Sequence, residues 1–183
     1  MSKNKRTITR HSPTLLLASA SPQRRALLAS LGLPFETRSL DADEQFSEQW
    51  SPESVARTLA GRKLESVHDS SEWDYVITAD TIVCAPCEDG EKILGKPENE
   101  EQAMVYLALL SGTAHRVITG VSLSGRAVDT VETEISQTIV HVAQLSKSEV
   151  AWYVSLEEWR EIGRASCRER VYSMLRKHRY PFR

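Results

Sequence analysis

The apolar run Thr14-Leu-Leu-Leu-Ala18 passes without a spacer into Ser19-Ala-Ser-Pro-Gln-Arg-Arg-Ala-Leu-Leu-Ala-Ser-Leu-Gly32, and this junction constrains the fold more than any other feature. The run has the length of a buried strand. Ser21 suits a helix N-cap, Pro22 the first helical position and Gly32 the position just past the end. A chain that opens strand, tight turn, helix is committed to an α/β layout, because the helix must return over the sheet that the strand begins.

The remainder repeats that logic. Residues 35–40 are expected as a second strand, followed by the acidic Asp41-Ala-Asp-Glu-Gln45. Ser51-Pro52 again pairs a cap with a proline and starts a helix running to about His68. Asp74 to Ala79 reads as a strand ending at Asp80. Ile82 to Ala85 continues apolar into a turn over Pro86–Gly90, and Ile93-Leu94 returns as a hairpin. Asn99 caps a helix with Ala103, Tyr106, Leu107 and Leu110 at helical spacing, closed by Gly112. Two long strands are expected over His115–Leu123 and Val128–Leu145, the second alternating at Val131, Thr133 and Ile135. Ser146 and Glu149 form a capping box for a last helix through Trp159. The expected fold is α/β with a mixed twisted sheet flanked by helices.

Composition excludes several classes. With 183 residues, 40% of them hydrophobic and 26% charged, the chain has the makeup of one globular domain. No apolar run nears the roughly 20 residues of a membrane span, and the basic N-terminus lacks the apolar core of a secretory signal, so a cytoplasmic protein that does not engage membranes is expected. Cys84, Cys87 and Cys167 are an odd set, which argues against a disulfide framework. Residues 160–183 hold eight Lys/Arg against Glu161 and Glu169, a net +6; the whole chain is −2, so residues 1–159 carry −8. A basic tail can mark nucleic-acid binding, yet here it reads as a change of compositional regime, and no nucleic-acid partner is expected.

Five places could carry chemistry. At Ser19 to Arg25, free backbone N–H groups, a helix dipole and guanidinium forks suit a phosphate, although an ordinary capped helix with solvated arginines is the commoner outcome for such a motif. Lys63 shares a helical face with Val55, Leu59 and Val67, so it either snorkels out or reaches into a cleft. Asp80, at the end of a buried strand, is placed where ligands bind in α/β sheets; its plainer reading is a turn or cap aspartate. Lys96, between Gly95 and Pro97, sits in a loop. Cys84-Ala-Pro-Cys87 raises a thiol-redox alternative, weakened by the hairpin turn that follows where such chemistry uses a helix. His115 and His141 fall in strand patterns and are read as structural.

Leu-Ala-Ser-Ala-Ser-Pro-x-Arg24, Asp-x-Asp-Glu44, Leu-Ala-x-x-Lys63, Ala-Asp80-Thr81, Leu-Gly-Lys96-Pro, Leu-Ser-Gly-x-x-His115 and Thr-Gly120, taken in this order over about residues 14–160, resemble the Maf family of nucleoside triphosphate pyrophosphatases, also called septum formation inhibitors. The resemblance implies two lobes with a cleft between them, as in inosine triphosphate pyrophosphatase-like folds. It also implies hydrolysis of a nucleoside triphosphate to the monophosphate and pyrophosphate with a divalent cation, Mg or Mn, and a homodimer. In it, Asp80 accepts the proton of the attacking water and Ser19, Arg24, Lys63 and Lys96 hold the phosphates. Glu44 supports the metal or the nucleotide, and Gln23 and Thr81 bear on base choice. Ala-Asp-Thr81 resembles the branch acting on dTTP and UTP, whereas Gln23 stands where that branch usually has arginine.

The division expected from these patterns is a basic N-terminal extension over 1–13, the Maf-like domain over 14–160, an anomalous segment over 161–171 and a remnant of a final helix over 172–183. Residues 161–171 do not follow the family pattern and stand in place of roughly thirty residues of it, including a glutamine that helps recognise the base. A sequence or assembly error, or a disrupted gene, accounts for such a break, and a nucleotide-binding remnant without turnover is the alternative it raises.

Overall fold

The computed structural model describes residues 13–156 and Trp159; the expected N-terminal extension apart from Pro13, the anomalous segment and the terminal helix lie outside them. The elements are β1 (Leu15–Ala18), α1 (Pro22–Ala29), β2 (Glu36–Arg38), α2 (Pro52–Glu65), β3 (Tyr75–Cys87), β4 (Gly90–Leu94), α3 (Glu100–Leu110), β5 (Ala114–Ser124), β6 (Glu132–His141) and α4 (Lys147–Ser155). They build a mixed six-stranded sheet of order β2-β1-β3-β5-β6, with β4 pairing on β3 as well.

The capping signals act as expected. Ser21, Ser51, Asn99 and Ser146 each accept from a backbone N–H in the first turn, and Ser146 with Glu149 closes a capping box. Gly32 and Gly112 adopt positive φ at the turns that follow α1 and α3. Several elements are shorter than the pattern suggested: α1 stops at Ala29, α2 at Glu65, α4 at Ser155 and β6 spans only Glu132–His141. β2, wholly exposed at the sheet edge, keeps only three residues.

β3 is the organising element. The sequence divides it at Asp80, whereas the structure runs it unbroken for 13 residues, since β5 pairs with it continuously from Val76↔Ser124 to Cys84↔Arg116. Asp80 therefore lies mid-strand. On the opposite edge of β3 the partner changes: β1 pairs in parallel as far as Leu17↔Ile77, and β4 pairs antiparallel from Val83↔Leu94 onward. Residues 78–82 have no strand beside them on that edge. Because β1 and β4 run toward each other, their C-terminal ends meet at this break.

The core divides about the same break. Leu16, Leu64, Val67, Trp73 and Val76 form one cluster; Val83, Leu94, Tyr106, Leu110, Val154 and Trp159 form another. The two lobes meet along β3, and a third cluster, Val55, Leu59, Ile82, Cys84 and Ile118, joins α2 to the middle of the sheet.

Candidate functional site

A cavity of about 560 Å³ opens over the break in the sheet, within the size range of small-molecule sites. The topology brings its residues there. The segment leaving β1 contributes Ser19, Gln23 and Arg24; the segment leaving β4 contributes Gly95 and Lys96; β3 contributes Asp80 and Thr81; the loop before α2 contributes Glu44 and Phe46. A ligand crevice at the point where connections diverge from a sheet follows the general rule for α/β folds.

Lys63 arrives by a matching of repeats. Along α2, Val55, Leu59 and Lys63 are spaced by four residues, a rise of about 6 Å; along β3, Cys84, Ile82 and Asp80 are spaced by two, about 6.6 Å. Running antiparallel, the two rows stay in step, so Val55 and Leu59 pack with Ile82 and Cys84 and the next pair is Lys63 on Asp80. Two features seat the helix. The buried Thr78 hydroxyl donates to the Ala60 carbonyl at 2.8 Å, and Gly120, paired with Asp80 across the sheet, leaves room for the Ala56 carbonyl, which a Cβ would strike.

The Lys63 ammonium donates to Asp80 Oδ1 and, at 3.1 Å, to Glu44 Oε1. Lys96 reaches the other oxygen of Glu44 at 3.5 Å. Burial would raise the Glu44 carboxyl, but hydrogen bonding and the charges of Lys63 and Lys96 outweigh it and hold the group below its ordinary value. The loop that carries Glu44 is tied to α2 by Arg62, which donates to the Gln45 carbonyl and lies over the Trp50 ring.

Arg24 meets β3 at the break. Its Nη1 donates to the Ala79 carbonyl at 2.6 Å and to Ser19 Oγ at 3.4 Å, and its Nη2 donates to Thr81 Oγ1 at 3.0 Å. The Gln23 amide oxygen accepts from the Ser21 hydroxyl at 3.0 Å. All eight residues singled out in the sequence, Ser19, Gln23, Arg24, Glu44, Lys63, Asp80, Thr81 and Lys96, line this one cavity.

The arrangement gathers three cations and two carboxylates around a space large enough for a nucleotide. The carboxylates of Glu44 and Asp80, bridged by Lys63, are oxygen donors of the kind that hard divalent cations bind through one or two at a time. Among the described residues no group of three or more His, Cys, Asp or Glu could hold a metal, so substrate oxygens would have to complete the shell. No helix of the described residues is long and apolar enough to cross a membrane.

The thiol-redox alternative loses its geometry. Cys84 and Cys87 lie on β3 and not at a helix N-terminus, both are free, and Cys84 is buried. Burial, followed by the charge of Glu91, pushes the Cys84 thiol up to about 11, the opposite of the lowered value a reactive thiolate needs. Sequence reasoning gave no role to Thr78 and used Thr119 and Gly120 only as motif letters. The β-branched residues read as ordinary strand formers, and only the pairing of β3 with β5 and α2 gives all three a task.

Comparison with known proteins agrees with the geometry. The family described as Maf-like protein matches residues 14–174. A dTTP/UTP pyrophosphatase of Alkaliphilus oremlandii is 39% identical over 145 residues, 79% of this chain and 73% of that protein. One from Salinibacter ruber is 43% identical over 141 residues, 77% of this chain and 67% of that protein. Among solved structures, the Staphylococcus aureus Ham1 protein shares the fold with a TM-score of 0.50 at 14% identity, over 79% of this chain and 98% of that one.

Proposed function

The chain belongs to the Maf-like protein family, and from that membership we propose that it is a nucleoside triphosphate pyrophosphatase, cleaving between the α- and β-phosphates to give a nucleoside monophosphate and pyrophosphate. The observation that carries this reading is the convergence of Arg24, Lys63 and Lys96 with Asp80 and Glu44 on one cavity at the break in the sheet. The curated relatives are dTTP/UTP pyrophosphatases, which makes dTTP and UTP the substrates to try first. Gln23, beside the Ser21 cap at the cavity, is the position that bears on base choice.

In this reading Lys63, Lys96, Arg24 and the Ser19 hydroxyl hold the triphosphate, and their charge opposes the negative charge that grows on the departing pyrophosphate. Asp80 is the general base. Phosphate oxygens entering the cavity compete for the Lys63 ammonium, and the Asp80 carboxylate so released takes a proton from the water that attacks the α-phosphorus. Glu44, together with substrate phosphate oxygens, would hold the Mg²⁺ or Mn²⁺, whose charge, when bound, neutralises the phosphates. The protein acts in the cytoplasm as a homodimer, a state that light scattering checks.

Incubation of the purified chain with dTTP, UTP, dCTP and GTP, scoring pyrophosphate against orthophosphate, tests the proposal. Stoichiometric pyrophosphate and nucleoside monophosphate support it. Orthophosphate release would point to a different bond being cleaved, and nucleotide binding without any release would leave a binding remnant.

A further inference from the structure

We propose that Thr119 is a positioning residue that fixes the Arg24 guanidinium through the Thr81 hydroxyl, so that Thr81 acts on the substrate through this arginine and not by touching the base. The inference rests on the reading of the cavity as a triphosphate site. Thr119 stands directly opposite Thr81 in the β3–β5 ladder, and the two hydroxyl oxygens are 2.9 Å apart. Arginine can only donate, so Thr81 Oγ1 accepts from Arg24 Nη2, and the remaining capacity of the Thr81 hydroxyl is turned to Thr119. The chain of contacts runs Arg24, Thr81, Thr119, from the mouth of the cavity to the adjacent strand.

The consequence lies in the order held before substrate arrives. A free arginine has many rotamers and loses them when it grips an anion. Arg24, donating to Ser19 Oγ, the Ala79 carbonyl and Thr81 Oγ1, has lost them beforehand, which favours binding by pre-organisation. Thr119 keeps the last of these acceptors in place.

The test is Thr119→Val, which removes the hydroxyl at nearly constant volume and keeps a good strand former, with Thr119→Ser as the rescue. Inorganic pyrophosphate is titrated by calorimetry, the Arg24 guanidinium is followed by ¹⁵N NMR, and kcat/KM is compared for dTTP and dCTP. In Thr119→Val, pyrophosphate affinity should fall roughly fivefold, the size of one neutral hydrogen bond. The slowed rotation of the Arg24 guanidinium should be lost, and the dTTP to dCTP ratio should stay within twofold. Thr119→Ser should restore the first two. Unchanged pyrophosphate affinity and an unchanged Arg24 signal would overturn the proposal, and so would an altered base ratio with pyrophosphate affinity intact. If the unmutated chain hydrolyses no nucleotide, the functional reading fails, while the guanidinium signal still decides whether Thr119 holds Arg24.

Discussion

Lys63 and Asp80 lie 17 positions apart in the chain and form an ion pair across the interface of α2 with the sheet, both side chains largely withdrawn from solvent. Neither alone is a site. A lysine in an apolar helical row and an aspartate in a buried strand would each be costly to bury unpaired, and their meeting gives each a partner at the cavity that both line.

This pairing sets the first prediction. Asp80→Asn keeps the side-chain volume and leaves Lys63 its contact with Glu44, so the fold should survive with a melting temperature within a few degrees of the parent. Pyrophosphate release should fall about 10²- to 10⁴-fold, the usual contribution of a general base. Steady-state assay with a sensitive pyrophosphate reporter decides it; turnover within threefold of the parent would remove Asp80 from the mechanism.

Much of this was readable in the sequence, for a specific reason. Caps are local chemistry, and Ser21, Ser51, Asn99 and Ser146 announce their helices within four residues. The row Val55, Leu59, Lys63 puts a charge on an apolar helical face, which the sequence alone leaves free to snorkel out or to reach into a cleft. What stayed hidden is pairing. The continuity of β3 through Asp80 depends on β5, some forty residues away, and no local pattern records it. Nor does the sequence show that β1 and β4 share one edge of β3 and stop short of each other, although that break is what opens the cavity. The ends of α1 and β6 also fall short of their patterns.

Two glycines separate helix seating from helix propensity. Gly120→Ala places a Cβ against the Ala56 carbonyl, so α2 must lift from the sheet, and the expected loss is about 1–3 kcal/mol together with a marked fall in activity as Lys63 leaves Asp80. Gly61→Ala meets nothing within 4 Å and lies inside α2, so it should stabilise by about 0.5–1 kcal/mol. Urea denaturation of both variants reads the difference. If Gly120→Ala is as stable as the parent, Gly120 has no seating role.

The thiols offer a further check. Cys87 is exposed and Cys84 buried, with the Cys84 thiol pushed up to about 11. Brief alkylation at neutral pH, mapped by mass spectrometry, should label Cys87 in the native protein and Cys84 only after unfolding. Cys87→Ser should keep nucleotide hydrolysis within twofold of the parent. A large loss of activity in that variant would bring thiol chemistry back into consideration.

His115 predicts how stability follows pH. The ring is buried, at 5% exposure, near the start of β5, and its Nδ1 has no hydrogen-bond partner. Burial first, and the neighbouring His141 second, lower its pKa from the ordinary 6.5. The fold therefore holds the neutral ring, while the unfolded chain gains a proton as pH drops below about 6.5. Where the unfolded state binds more protons, stability rises with pH. The His115 contribution is thus fully present above 6.5 and is lost as pH falls from 6.5 toward the lower value of the folded protein. Glu44, also lowered, adds its own loss only below its ordinary 4.5. Unfolding free energies measured from pH 8 to pH 5 should fall on the acid side in the parent, and His115→Phe, which cannot titrate, should flatten that fall whatever it does to stability at pH 8. An acid limb of the same slope in both proteins would show that the His115 ring is not its source.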